Sequence, residues 1–202
     1  MEARKRFRAS IKIHGLEIEK ETAMKRLEKL AAKVTGRHVL ILLGIQFLVQ
    51  GAILFGTYPL ITNGGAPPLD LQVFYEPSMV GFYLASIGEA GRSWYLINQA
   101  TLDLIFPVAY GSANVALFLW LVKKCRLQDA FYKLGAVPLL IVFFDLIENA
   151  CIISAIVKFP EIPKILESVT ATASAGKQSA MTAAFIVAVI LIGTAFARRK
   201  GE

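Results

Sequence analysis

Apolar positions along the chain gather into four blocks, at about 38–60, 92–122, 134–159 and 179–197, separated by polar or turn-rich stretches. Each block is long enough for a helix to cross a bilayer, which takes roughly 20 residues. The pattern predicts an all-α polytopic membrane protein: a four-transmembrane-helix bundle over 38–202, preceded by a separate arm over 1–37. Within that arm Ile11, Ile13, Leu16 and Ile18 alternate around His14-Gly15, as in a short hairpin or an extended segment. From Glu19 to Val34 the spacing turns helical. Ala23, Met24, Leu27, Leu30, Ala31 and Val34 form one stripe, and Glu21 stands four residues before Lys25. An amphipathic helix on the membrane surface or against a partner fits that stripe. Between the first two blocks, Asn-Gly-Gly-Ala-Pro-Pro marks a turn, and Met79 to Ile87 predicts a short helix at the outer interface. Phe74, Tyr75, Phe82, Tyr83, Trp94 and Tyr95 supply an aromatic belt there.

The interruptions of the apolar pattern carry the chemistry. The third block holds Asp145, Glu148 and Asn149 near its middle, where a bare charge costs roughly 2.5–3.5 kcal/mol even on lenient insertion scales. Those carboxyls must be paired, hydrogen-bonded or protonated. In the second block Arg92, Gln99, Asp103, Tyr110 and Asn114 fall on one stripe at 100° per residue, so a polar seam runs down that helix. Asp103 lies about 16 Å from the outer end of its span and Asp145 about 16 Å from the inner end of its own, at 1.5 Å per residue. A short loop makes the two helices antiparallel neighbours, so the aspartates should meet near mid-membrane. The predicted cluster is Asp103, Asp145, Glu148 and Asn149, with Tyr110 and Asn114 below and Arg92, Gln99 and Lys177 around or above. Lys177 is placed in a loop before the last span. Gln46 and Gln50 on the first span, and Ala180, Ala184 and Ala188 on the fourth, predict helix-to-helix contacts.

Composition supports the membrane assignment: of 202 residues 55% are hydrophobic, and the mean hydropathy is +0.56. The net charge of +7 is concentrated where spans end. Eleven of 22 Lys and Arg precede His38, four lie in Lys123 to Lys133, and three are Arg198, Arg199 and Lys200. That asymmetry predicts both termini on the cytoplasmic, matrix or stromal side. Nucleic acid is a poor partner, since no recognition fold accompanies the charge. Arg199-Lys200-Gly201-Glu202 resembles a dibasic retrieval signal, and the same residues satisfy the positive-inside rule. The two cysteines, Cys125 and Cys151, sit at different depths and predict no disulfide; Cys125 beside Lys123 and Lys124 is in the position of a palmitoylation site but is expected unmodified. No cleavable signal peptide is expected before the first span.

No nucleophile elbow, phosphate loop, HExxH or CxxC occurs, so neither a cofactor nor a metal is expected. The order Gly91-Arg92-Ser-Trp-Tyr95-Leu, Asp103-Leu-Ile-Phe-Pro107-Val-Ala-Tyr110, Phe144-Asp145-Leu-Ile-Glu148-Asn149, then Thr172 and Lys177, resembles a family of small four-span membrane proteins to which no activity is attached. The resemblance covers about Met79 to Arg199. It implies four spans and a shared core site at Arg92, Asp103, Tyr110, Asp145, Glu148, Asn149 and Lys177. The acid-lined plan is similar to the sterol-isomerase and sigma-2 receptor group in architecture alone. The leading expectation is a non-catalytic accessory subunit of a larger membrane complex, its buried polar cluster stabilising the bundle. The alternatives are a small enzyme or a lipid- or sterol-binding protein using Asp103, Asp145 or Glu148 as acid or base, and a proton or ion pathway.

Overall fold

The computed structural model describes residues 25–200; the Ile11–Ile18 alternation and Glu21, Ala23 and Met24 of the amphipathic stretch lie outside them. The regular structure among the described residues is all helical, with no strand. A first helix, α1 (25–33), is followed by the first span, α2 (Gly36–Thr62). After a loop come α3 (Met79–Ser86), α4 (Gly88–Ala100) and α5 (Leu102–Lys124). The third span contains α6 (Val137–Lys158) and the fourth is α7 (Lys164–Lys200). Four stretches are long and apolar enough to cross a bilayer: Gly36–Thr62, Gly88–Lys124, Phe131–Lys158 and Lys164–Arg198. The chain is a multi-pass helical membrane protein. The start of the first span and the end of the fourth lie together at one end, the basic end, where Lys123 bonds the Ala31 and Val34 carbonyls and Arg198 the Arg126 carbonyl; the connection carrying Asp70 follows the far end of the first span, the loop end.

Local chemistry explains where these helices start and stop. Thr35 caps α2: its hydroxyl accepts from the His38 amide at 3.4 Å, and His38 Nδ1 accepts from the Thr35 amide at 3.2 Å. The Ala52–Thr57 turn of α2 is π-helical, and the helix ends on Asn63, whose φ of 45° closes it in the left-handed conformation. The chain then dips back through a 3₁₀ turn at Leu69–Leu71, burying Leu69 and Asp70. Gly88, at φ 67°, makes the corner between α3 and α4 that a side chain would oppose. A second break, at Thr101 (φ −125°, ψ −87°), divides the long second span into α4 and α5.

In the described part of the predicted amphipathic helix, the last turn of α1 packs on the bundle. Ala31 is fully buried, Val34 joins Val39 and Ala116 in a small cluster beside Trp120, and Lys123 Nζ donates to the carbonyls of Ala31 (3.1 Å) and Val34 (2.8 Å). A cation at a helix C-terminus satisfies carbonyls that have no intrahelical partner. The short helix α3 buries Val80, Tyr83 and Leu84 and exposes Phe82. The aromatic belt divides: Phe74, Phe82 and Trp94 face outward, whereas Tyr83 and Tyr95 are core residues in an edge-to-face pair 5.9 Å apart. Burial, and then the Asp70 carboxylate, push the Tyr83 hydroxyl well above its ordinary range. Cys125 is buried with Sγ 3.1 Å from the Leu191 carbonyl, which removes it from any acylation site; Cys151 is also a free thiol.

The fourth span differs most from expectation. The stretch 160–178, expected as a loop, enters helix at Lys164, so Lys177 sits inside a 37-residue helix. Thr170, Lys177, Ala184 and Leu191, all buried, recur every seven residues, with Ala173 and Ser174 completing the same face. Small residues there reflect close packing on α6. Gly176 is the tightest point: a Cβ would come within 2.6 Å of the Phe144 ring. Gly176→Ala should therefore cost about 1–3 kcal/mol of stability. Gly193→Ala on the same helix, with nothing within 4 Å of its added carbon, should be neutral or gain up to about 1 kcal/mol. Thermal unfolding of the two variants in detergent checks the contrast.

Two apolar clusters occupy the ends of the bundle. One gathers Ile53, Tyr58, Ile61, Leu69, Val80, Tyr95 and Ile152 at the loop end; the other gathers Phe118, Leu121, Val122, Ile141, Ala184 and Leu191 towards the basic end. The polar residues of the second, third and fourth spans lie between them.

Candidate functional site

Lys177 is the centre of the polar layer. Its Nζ lies 3.1 Å from Asp145 Oδ1, pairs with Glu148 Oε2, and donates to the Asp70 carbonyl at 3.1 Å. An ammonium has three N–H bonds, and here each has an acceptor. Asp145 and Glu148, three residues apart on α6, share a face. Lys177 is 6% exposed, Asp145 5% and Glu148 0%. The second Asp145 oxygen, Oδ2, accepts from the Tyr110 hydroxyl at 3.0 Å, so α5, α6, α7 and the Asp70 loop meet through two side chains.

Asp70 brings in the remaining elements. Its Oδ1 accepts from Tyr95 on α4 at 2.6 Å, and its Oδ2 from Tyr58 on α2. Asp103 forms a third node: Oδ2 accepts from Gln99 Nε2 at 2.7 Å, and more distantly from Asn98 Nδ2 at 3.5 Å. Asn98 Oδ1 in turn accepts from the Thr57 hydroxyl at 2.6 Å. Thr57 stands at the end of the π-helical turn of α2. Four buried carboxyl groups, on Asp70, Asp103, Asp145 and Glu148, thus face one buried ammonium.

Asn149 has a backbone task. Proline at 107 has no N–H, so the carbonyl four residues earlier, that of Asp103, loses its helical partner. Asn149 Nδ2 donates to that carbonyl at 2.8 Å. Asn149→Ala should cost about 1–3 kcal/mol, the penalty of an unmatched buried acceptor. In a Pro107→Ala background, where a backbone amide regains the bond, the same substitution should cost much less. Equal losses in the two backgrounds, measured as a double-mutant cycle, would reject this pairing.

The structure therefore brings together Gln99, Asp103, Tyr110, Asp145, Glu148, Asn149 and Lys177. Arg92 and Asn114 are not part of the hydrogen-bonded site. Arg92 Nη1 donates to the Leu84 carbonyl at 2.8 Å and its guanidinium lies 4.2 Å over the Phe159 ring. Asn114 Nδ2 returns to the Tyr110 carbonyl of its own helix at 2.8 Å. Both lie on the expected seam, but Arg92 is about 10 Å beyond Gln99 along the helix and Asn114 about 6 Å beyond Tyr110, at 1.5 Å per residue. Their phase agrees and their height does not. The sequence reading missed Asp70, Tyr58, Asn98 and Thr57, and it placed Tyr95 in the belt. Two signals were present. Asp70 stands between Leu69 and Leu71 in a connection without Lys or Arg, and Tyr95, Asn98, Gln99 and Asp103 share one helical face.

Two buried polar atoms near this layer, Gln99 Oε1 and Asn149 Oδ1, have no hydrogen-bond partner among the described residues, whereas the Ser174 side chain interacts with both the Tyr75 hydroxyl and the Glu148 carboxylate. The Gln46 side-chain oxygen is also buried without a partner. No group of three or more His, Cys, Asp or Glu among the described residues is arranged to hold a metal ion. No protein-family model matches the chain, and neither a curated protein nor a solved structure matches it.

Proposed function

We propose that the chain is a non-catalytic integral membrane protein, an accessory subunit of a larger membrane complex. In this reading the Lys177 network fastens four spans and the loop-end connection in one register. The observation that carries it is the burial of the network. Lys177, Asp145, Glu148, Asp103 and Asp70 are each at most 7% exposed, and their bonds run between helices. Two open clefts of about 580 and 1010 Å³ lie elsewhere, lined by none of these residues. The apolar outer faces of the first and fourth spans, including Leu48 (76% exposed), Phe55 (85%) and Phe185 (70%), offer surfaces to lipid or to neighbouring subunits. The run of basic residues at one end supports termini on the cytoplasmic, matrix or stromal side.

Gentle extraction followed by native mass spectrometry tests this reading. It predicts stoichiometric partner polypeptides; a lone bundle, with or without one retained lipid, would contradict it. A second reading, in which Asp103, Asp145 or Glu148 acts as acid or base on an apolar substrate or a bound sterol, or passes a proton, draws support from the unmatched buried acceptors at Asn149 and Gln99. Under that reading Asp145→Asn abolishes activity or binding while the bundle melts as before; under the first it lowers the melting temperature.

A further inference from the structure

Among the described residues the Asp103 carboxylate is held by neutral donors. Both bonds it accepts, from the side-chain amides of Gln99 (2.7 Å) and Asn98 (3.5 Å), go to Oδ2 and neither to Oδ1. Lys177 directs its N–H bonds to Asp145, Glu148 and the Asp70 carbonyl, and none to Asp103. The second span also breaks at this point: Thr101, with φ −125° and ψ −87°, separates Gln99 on α4 from Asp103 on α5. Interrupted spans are where membrane proteins build ion sites, because side chains and helix ends meet there away from lipid.

Two orphaned oxygens stand around the same residue. Gln99 Oε1 and Asn149 Oδ1 have no hydrogen-bond partner among the described residues, and the two side chains are 0% and 2% exposed. What each amide nitrogen touches fixes which way the amide is turned. Gln99 Nε2 faces the Asp103 carboxylate, and Asn149 Nδ2 faces the Asp103 carbonyl freed by Pro107; turning either amide over would set oxygen against oxygen. An amide oxygen lies about 2.2 Å from its own nitrogen, so each orphan is within about 5 Å of an Asp103 oxygen. Buried acceptors gathered in this way are costly unless something positive or hydrogen-bearing lies among them.

We propose that these three residues form a binding site for a sodium ion, held by the Asp103 carboxylate, Gln99 Oε1 and Asn149 Oδ1. The donor atoms are all oxygen, which suits a hard cation. One carboxylate with two neutral amides balances a single positive charge, whereas calcium and magnesium demand larger or stricter oxygen shells. The ion joins α4, α5 and α6 at the break in the second span. It lies apart from the Lys177 ion pairs and needs no partner subunit.

Thermal unfolding of the full chain in nanodiscs, in sodium chloride against choline chloride of equal ionic strength, tests the site. Sodium at about tenfold its dissociation constant should raise the melting temperature by about 3–6 °C. The sodium magnetic resonance line of the parent chain should broaden over the same concentrations, a reading that needs no variant. Asp103→Asn and Gln99→Met should each abolish the rise. Gly176→Ala, which crowds the Phe144 ring instead, should lower the melting temperature and keep the rise. Equal melting in the two salts would leave a buried water only at these oxygens and overturn the proposal. A rise that persists in both site variants would put the ion elsewhere, and a larger rise with calcium would make it divalent; either result overturns it as well.

Discussion

Lys177→Met should lower the stability of the bundle by about 3–5 kcal/mol, the loss typical when one partner of a buried ion pair is removed. Methionine fills the volume of the lysine stem but supplies no donor. Asp145 Oδ1, Glu148 Oε2 and the Asp70 carbonyl would all lose the N–H that each now accepts. Glu148 is affected most, because it is fully buried. Lys177→Arg should recover only part of the loss. A planar guanidinium presents its donors in a fork, whereas the three acceptors come from one loop carbonyl and two carboxylates one turn apart on α6. Unfolding in bicelles by denaturant reads both variants, and a Lys177→Met bundle as stable as the parent would refute the account of the site.

Asp70→Ala should be the next most damaging change, at about 2–6 kcal/mol, because two buried tyrosine hydroxyls lose a carboxylate acceptor at about 1–3 kcal/mol each. Its effect should also be local. Asp70 lies in a 3₁₀ turn between Pro68 and Gln72, held down by the Tyr58 and Tyr95 hydroxyls and by Leu69, which is fully buried. With the carboxylate gone, amide exchange should quicken through 66–75 while α5 keeps its protection. Asp70→Asn, which retains one acceptor oxygen, should give a smaller and similarly placed change. Faster exchange spread evenly over all four spans would show that the loop is not the element Asp70 holds.

The spans were legible because hydrocarbon thickness imposes a length that survives in composition alone, and Leu40, Leu48 and Phe55 need only be apolar to satisfy it. The meeting of Asp103 with the Asp145 helix was legible for a related reason: helical rise and a short connection set the height of a residue. What escaped depended on contacts distant in sequence. Asp70 sits in a connection whose turn residues announce a surface loop, and only Tyr58, Tyr95 and Lys177, contributed by three other elements, explain why it points inward. The Thr170 to Lys177 stretch was misjudged because Thr, Ser and Ala signal a loop locally. Against α6 the same residues allow close helix packing, and the seven-residue recurrence through Leu191 records it. Lys177 was thereby assigned to the site but placed in the wrong kind of structure.

The central claim is that Lys177, Asp145 and Glu148 act as one structural unit, and a mutant cycle on stability tests it most directly. The members are Lys177→Met, the pair Asp145→Asn with Glu148→Gln, and all three changes together. A buried charged set that is removed whole leaves no uncompensated charge, so the triple variant should be more stable than Lys177→Met alone. If the losses simply add, so that the triple variant is the least stable of the set, the three side chains are not coupled and the network does not fasten the bundle.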